Sequence, residues 1–64
     1  MALYFHIVEL DNGRWACRHG NHEYDQHETL EQASGHIRLL ATEQRPASIF
    51  AHRCDGAVDH IADV

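Results

Sequence analysis

The 64-residue chain contains no lysine, and its five arginines stand against ten aspartate and glutamate residues, which gives a formal net charge of −5 at pH 7. Proteins that bind nucleic acid take much of their affinity from basic groups that neutralise phosphates. The arginines of this chain are also scattered along the sequence. We therefore expect neither nucleic acid nor an anionic membrane among its partners.

Cysteine and long apolar runs are also scarce. Cys17 and Cys54 lie far apart and form no C-x-x-C pair. No segment approaches the ~20 apolar residues of a membrane-spanning helix, and the N-terminus lacks the pattern of a signal peptide. These absences predict a cytoplasmic protein whose thiols are reduced.

Motifs of known catalytic frames are missing as well. The sequence has no P-loop, no dinucleotide-binding glycine pattern and no nucleophile elbow. Residues 1–64 form one small domain, and a chain of this length buries a thin core. We therefore expect a protein that is not an enzyme.

Two strands and a turn are predicted in the first third of the chain. Residues 3–10 are rich in β-branched and aromatic side chains, and residues 14–19 follow as a return strand. Between them, Asn12 and Gly13 favour a tight hairpin turn. The polar segment 19–28 is predicted to be a loop.

A helix and a second hairpin are predicted in the remainder. Thr29 has the features of a helix N-cap, and Pro46 ends the helix, which should stop near residue 43 or 44. Strands over residues 47–54 and 57–62 flank a turn at Asp55-Gly56. The predicted fold class is α+β: a ββαββ chain whose two hairpins form a four-stranded antiparallel sheet, with the helix packed on one face.

The register of the first hairpin stays open. A two-residue loop places Val8 opposite Cys17 and His6 opposite His19. A three-residue loop with a bulge instead gathers Phe5, Ile7, Trp15 and Cys17 on one face. In both registers, Trp15 and Cys17 point into the core.

This pattern resembles a bacterial family of short ββαββ proteins known only as a domain of unknown function. The similar segments are residues 6–8 and 12–16, the helix start at 29–33, and residues 49–52 running into 55–56. They cover nearly the whole chain, although members of the family are often rich in lysine. The resemblance implies the fold and implies no activity.

Seven histidines make up an unusually large share of the chain, and three of them, His19, His22 and His27, fall within the polar segment. Imidazole ligands suit zinc or nickel, so these three residues are the candidate metal ligands, with His6 as a fourth if it faces His19. A solvated polar loop explains the same composition without a metal.

The second hairpin has two further histidines. A two-residue turn pairs Phe50 with Ile61 and His52 with Asp59, which directs His52 and His60 to opposite faces. Cys17 is interpreted as a small core residue, and Cys54 is the more exposed thiol. No catalytic residue and no cofactor other than such an ion is predicted.

Two functional hypotheses follow. The first is a small acidic interaction or regulatory module that forms a homodimer or binds another protein, because a single helix leaves one sheet face uncovered. The alternative is a histidine-rich accessory protein that responds to metal or to pH.

Overall fold

A computed structural model describes residues 2–64 as one helix packed on a five-stranded sheet. The strands lie in the order β3-β2-β1-β4-β5 across the sheet. Their bounds are Leu3–Glu9 (β1), Trp15–His19 (β2), His22–His27 (β3), Ala47–His52 (β4) and Val58–Asp63 (β5), and the helix α1 is Leu30–Thr42.

The predicted four-stranded antiparallel sheet is wrong in two respects. The segment predicted as a loop contains β3, which pairs with β2 and forms one edge of the sheet. The two central strands, β1 and β4, run parallel, so the sheet is mixed. Parallel strands need a long connection between them, and here β2, β3 and α1 together supply it.

The first hairpin adopts the bulged alternative. Ile7 lies opposite Cys17, and Glu9 lies opposite Trp15. Phe5, Ile7, Trp15 and Cys17 therefore share the helix-facing side of the sheet, where Cys17 is fully buried and Trp15 is 8% exposed. The prediction that Trp15 and Cys17 belong to the core is confirmed.

The predicted register of the second hairpin is wrong. The turn closes as a three-residue loop, in which the Arg53 N–H donates to the Ala57 carbonyl at 2.9 Å, so Phe50 pairs with His60 and His52 pairs with Val58. A bulge between Ile49 and Phe50 then returns the far end of the hairpin to the predicted offset, with Ile49 opposite Ala62. His52 and His60 consequently lie on the same face of the sheet rather than on opposite faces. Asp59, predicted to face His52, instead accepts a hydrogen bond from the Arg53 guanidinium at 2.8 Å.

The helix begins where the sequence predicts. The Thr29 hydroxyl accepts a hydrogen bond from the Gln32 backbone N–H at 3.1 Å, and the Gln32 side chain accepts one from the Glu28 N–H at 3.3 Å. Ala33, Ile37 and Ala41 form its buried stripe. They pack against the core side chains of β1, β2 and β4, which include Phe5, Ile7, Cys17 and Ile49.

The opposite face of the sheet carries no helix, and we call it the open face. Along β1 and β4, the residues between the buried ones point to this face, among them Tyr4, His6, Phe50 and His52. Within residues 2–64, no helix is long and apolar enough to cross a membrane.

Candidate metal centre

Four ligand-type side chains converge where the start of the helix covers the outer half of the sheet. Cys17 comes from β2, Asp25 and His27 from β3, and His36 from α1. One potential ligand atom of each lies within 4.8 Å of the other three. We call these four residues the Cys17 cluster.

Strand pairing brings three members of the Cys17 cluster together. Asp25 lies directly opposite Cys17 on the neighbouring strand, and His27 lies opposite Trp15. Residues two apart in a strand share a face, so Asp25 and His27 both point towards the helix. His36 follows the buried Ala33 by three residues and therefore lies beside it on the helix surface.

The two imidazoles and the carboxylate are in close contact. His36 Nδ1 lies 2.7 Å from Asp25 Oδ2, and His27 Nε2 lies 3.1 Å from Asp25 Oδ1. The two ring nitrogens are 3.3 Å apart. All three side chains are largely buried, with exposed fractions between 24% and 35%.

Asp25 Oδ1 is buried and has no hydrogen-bond partner, because its 3.1 Å approach to His27 is not aligned as a hydrogen bond. A buried acceptor without a partner costs about 1–3 kcal/mol, and more when it carries charge. A cation placed between this oxygen and the two imidazoles removes that cost.

The Cys17 thiol is in an environment that disfavours its ionisation. Burial, and then the charge and hydrogen bonding of Asp25, raise the pKa of Cys17 to about 12. The sulfur donates a hydrogen bond to the Ala33 carbonyl at 3.5 Å. Cys17 is therefore no nucleophile in the metal-free protein, and only a bound cation would favour its thiolate.

The donor set is that of a zinc-class ion. Zinc binds cysteine sulfur, histidine nitrogen and carboxylate oxygen at ~2.0–2.3 Å in tetrahedral sites. These bond lengths place neighbouring ligand atoms about 3.3–3.7 Å apart. The 3.3 Å between the imidazole nitrogens falls in that range, the 2.7 Å between His36 Nδ1 and Asp25 Oδ2 is shorter, and the limit of 4.8 Å for the whole cluster is wider, so the side chains would adjust on binding an ion. Four protein ligands also leave no open position for a substrate, which is typical of structural zinc sites.

The three histidines predicted as metal ligands are distributed differently. His27 belongs to the Cys17 cluster, whereas His19 stacks on Phe5 with ring centroids 4.7 Å apart. His22 is exposed and packs edge-on against Tyr24 at 4.6 Å. Within residues 2–64, the Cys17 cluster is the group of three or more such side chains close enough to share an ion. His6, the candidate fourth ligand, lies opposite Arg18 rather than His19.

Sequence reasoning missed Cys17, Asp25 and His36 as members of one site. The sequence pattern does not mark Asp25, because β3 lacks the apolar alternation by which strands are identified. His36 is nine residues from His27 and stands one position before the buried Ile37. The available clue was the position of His36 three residues after Ala33, at the margin of the apolar stripe of the helix.

A second imidazole pair lies on the open face. His6 Nδ1 and His52 Nε2 are 2.8 Å apart and share one hydrogen. These two rings line an open depression of about 290 Å³ together with Val8, Arg18 and Gly20. We call this the Arg18 depression.

Aromatic contacts extend along the open face from this pair. The Phe50 ring lies 6.1 Å from His6, 5.8 Å from Tyr4 and 5.1 Å from His60. His60 in turn binds the Asp63 carboxylate at 2.8 Å. Hydrogen bonds from the Ser48 hydroxyl and then from His60 lower the pKa of Asp63. The open face is therefore a mixed aromatic and imidazole surface.

Cys54 occupies neither cluster. Its thiol donates to the carbonyls of Glu9 at 3.5 Å and Leu10 at 3.7 Å, which ties the second turn to the end of β1. Local desolvation and the nearby Glu9 and Asp11 carboxylates raise the pKa of Cys54. Both cysteines are free, and neither has the lowered pKa of a reactive thiol.

Comparison with protein-family models, with characterised proteins and with solved structures gives no match for this chain. The resemblance to the family of short ββαββ proteins thus stays a prediction.

Proposed function

We propose that this protein binds one zinc ion at the Cys17 cluster and acts as a small metal-dependent accessory or regulatory module. The observation that carries the proposal is the convergence of a thiol, a carboxylate and two imidazoles around Asp25 Oδ1, a buried oxygen with no hydrogen-bond partner.

The ion would connect two strands and the helix. Cys17 lies on β2, Asp25 and His27 lie on the edge strand β3, and His36 lies on the helix. A ligand that binds only the folded state stabilises that state by mass action. Zinc would therefore hold β3 against β2 and the helix against the sheet. How well ordered these segments are would then depend on how much metal is available.

Chelator competition with untagged protein tests this proposal. We expect one zinc equivalent to bind, and we expect His36→Ala to weaken binding by about a hundredfold or more, since loss of a supporting group alone costs 10–100-fold. The matched control is His22→Ala, because His22 is exposed and lies outside the Cys17 cluster.

The two variants also separate the structural site from the histidine triad that the sequence predicts. Strong loss in His22→Ala with little change in His36→Ala would restore the triad of His19, His22 and His27 and overturn the Cys17 cluster. Unchanged affinity in both variants would overturn a zinc site of either composition.

A second candidate function is association of two copies through the open face. Tyr4 and Val58, each 56% exposed, lie on this face beside the partly exposed Phe50. Exposed apolar and aromatic side chains grouped on one surface favour interaction sites, and two copies related by a twofold axis can bury the same patch against itself.

Sedimentation equilibrium across a dilution series tests this association. We expect Tyr4→Ser to weaken the dimer by about tenfold, the scale of one interface residue. Leu39→Ser is the control, because Leu39 is 69% exposed but lies on the helix. A protein that stays monomeric at about 100 μM, well above the Kd of a stable complex, would remove this candidate.

A further inference from the structure

The Arg18 depression differs from the rest of this acidic chain because basic groups converge on it. Arg18 lies directly opposite His6 on the neighbouring strand, and His52 reaches His6 from the other side. Val8 and Gly20 complete the lining. Among the described residues that line the depression, the polar side chains are thus a guanidinium and two imidazoles.

Burial and positively charged neighbours act on His6. Burial first, and then the positive charges of His52, His19 and Arg18, lower the pKa of His6. A group that is repelled in this way binds a proton more readily when an anion is placed among its neighbours. The local potential therefore favours a negative ligand, although the protein as a whole carries a formal charge of −5.

Carboxylates on the neighbouring strands make other contacts. Glu23 lies opposite Arg18 on β3, but its Oε2 accepts a hydrogen bond from the Gln26 amide at 3.4 Å. On the other side, Asp63 is bound to His60. Within residues 2–64, no carboxylate lies within ion-pairing distance, 4.0 Å, of Arg18 or of His6.

We propose that the Arg18 depression binds a phosphate-sized oxyanion, held by the Arg18 guanidinium and by the His6–His52 pair after it has taken up one proton. Arginine presents several N–H donors in a planar fork that suits such an anion. In the absence of an anion, one of the two imidazole N–H groups makes the bond between the rings, and the added proton gives the pair a second outward donor for the ligand.

The size of the depression limits the ligand. Its volume of about 290 Å³ lies at the lower end of the ~300–1,000 Å³ range of small-molecule pockets. It accepts inorganic phosphate or the phosphate group of a small ester, and its openness to solvent predicts millimolar binding.

Imidazole NMR signals of His6 and His52 test the site directly. We expect saturable shifts on titration with sulfate, inorganic phosphate or glucose 6-phosphate. Tighter binding of the ester would identify an organic phosphate as the source of the anion, and equal binding of all three would identify a site for free oxyanions. The absence of any saturable shift would overturn the proposal.

Two arginine variants give the matched comparison. Arg18→Gln should weaken sulfate binding by about tenfold, the scale of one charge-assisted contact. Arg38→Gln should leave it unchanged, because Arg38 is exposed on the helix, on the other side of the sheet. Equal losses in both variants would mean general charge screening and would overturn the assignment. Retained zinc binding in Arg18→Gln shows that the variant is folded.

Proton uptake gives a second readout. Sulfate keeps its charge between pH about 6 and about 8, whereas histidine loses its proton in this range. Because the pKa of His6 is lowered from 6.5, binding that requires the added proton should weaken by about tenfold for each pH unit in the upper part of this range. Glu23→Gln should strengthen binding, because it removes the carboxylate that lies opposite Arg18 on β3. Affinity that is independent of pH would exclude the His6–His52 pair from the site.

Discussion

Two pairs of histidines lie in contact in this small protein, on opposite faces of one sheet. His27 and His36 approach to 3.3 Å under the helix, and His6 and His52 approach to 2.8 Å on the open face. Both pairs are partly buried, and in both the two histidines come from different elements of secondary structure. The imidazoles alone therefore do not distinguish the two sites.

The neighbours of each pair make the distinction. The pair under the helix is joined by Asp25 and Cys17, which supply a negative charge and a second anionic donor once the thiol ionises. The pair on the open face is joined by Arg18. Because imidazole can act as an acceptor to a cation or, when protonated, as a donor to an anion, the adjacent side chain decides the sign of the ligand.

The largest effect is expected when the sulfur ligand of the Cys17 cluster is removed. Cys17→Ser should weaken zinc binding by about a hundredfold or more and remove the thiolate-to-metal charge-transfer absorption of the cobalt-substituted protein. Cys54→Ser is the control, because Cys54 is free and lies outside the Cys17 cluster. A charge-transfer band that survives in Cys17→Ser and disappears in Cys54→Ser would move the site to the second turn.

A smaller effect reverses the preference of the second site. Arg18→Glu places a carboxylate beside His6 and His52, which gives this pair the kind of neighbour that Asp25 provides in the first. We expect the variant to lose oxyanion binding by tenfold or more and to bind a second, weaker zinc equivalent. Isothermal titration with zinc counts the sites, and a variant that still binds one ion would show that the neighbour does not control ligand sign.

The next effect separates the two sites through the helix. Thr29→Ala removes the side-chain cap and should lower the free energy of unfolding by ~1 kcal/mol. Because His36 lies on this helix and the Arg18 depression contains no helical residue, zinc binding should weaken slightly while sulfate binding stays unchanged. Urea unfolding measures the first quantity, and equal losses of both ligands would contradict the separation.

The smallest effect concerns pH. The pKa of His6 is lowered in the folded protein from the ordinary 6.5, so the unfolded chain takes up a proton on this side chain before the folded protein does. The contribution of neutral His6 to the free energy of unfolding is therefore fully present above pH 6.5, and it is lost as the pH drops below that value. His6→Gln should show a smaller loss of urea midpoint than wild type between pH about 7.5 and about 5.5. His22→Gln is the control, and a loss unchanged from wild type in His6→Gln would contradict this assignment.

The parts of the fold that local sequence patterns specify were predictable. The Thr29 cap, the alternating strands and the glycine turns each depend on neighbours within a few residues. The helix, predicted to end near residue 43 or 44, ends at Thr42 with Glu43 as its C-cap.

Contacts between distant segments were not predictable in the same way. β3 is an edge strand with mostly exposed polar side chains, so it lacks the apolar alternation by which strands are identified. The parallel pairing of β1 with β4 joins segments more than 40 residues apart. In the second hairpin, Asp55 and Gly56 mark the turn but do not specify that it has three residues rather than two, and the turn length sets the pairing of His52 and Phe50.

The prediction of the candidate site was incomplete for the same reason as the prediction of the sheet. His27 was identified because histidines are unusual in such number, but its partners come from β2 and the helix. Only the pairing of Cys17 with Asp25, itself a consequence of the missed strand, makes a thiol part of the site.

The two outermost strands have a consequence for how the protein behaves at high concentration. β3 and β5 form the free edges of the sheet, and they carry acidic side chains such as Glu23, Asp59 and Asp63. Near neutral pH, like charges keep the unpaired backbone edges of separate molecules apart. Mild acid protonates histidine side chains, which brings the formal net charge of −5 towards zero. The exposed edges can then template one another, so the shelf life of concentrated solutions depends on keeping the protein negatively charged.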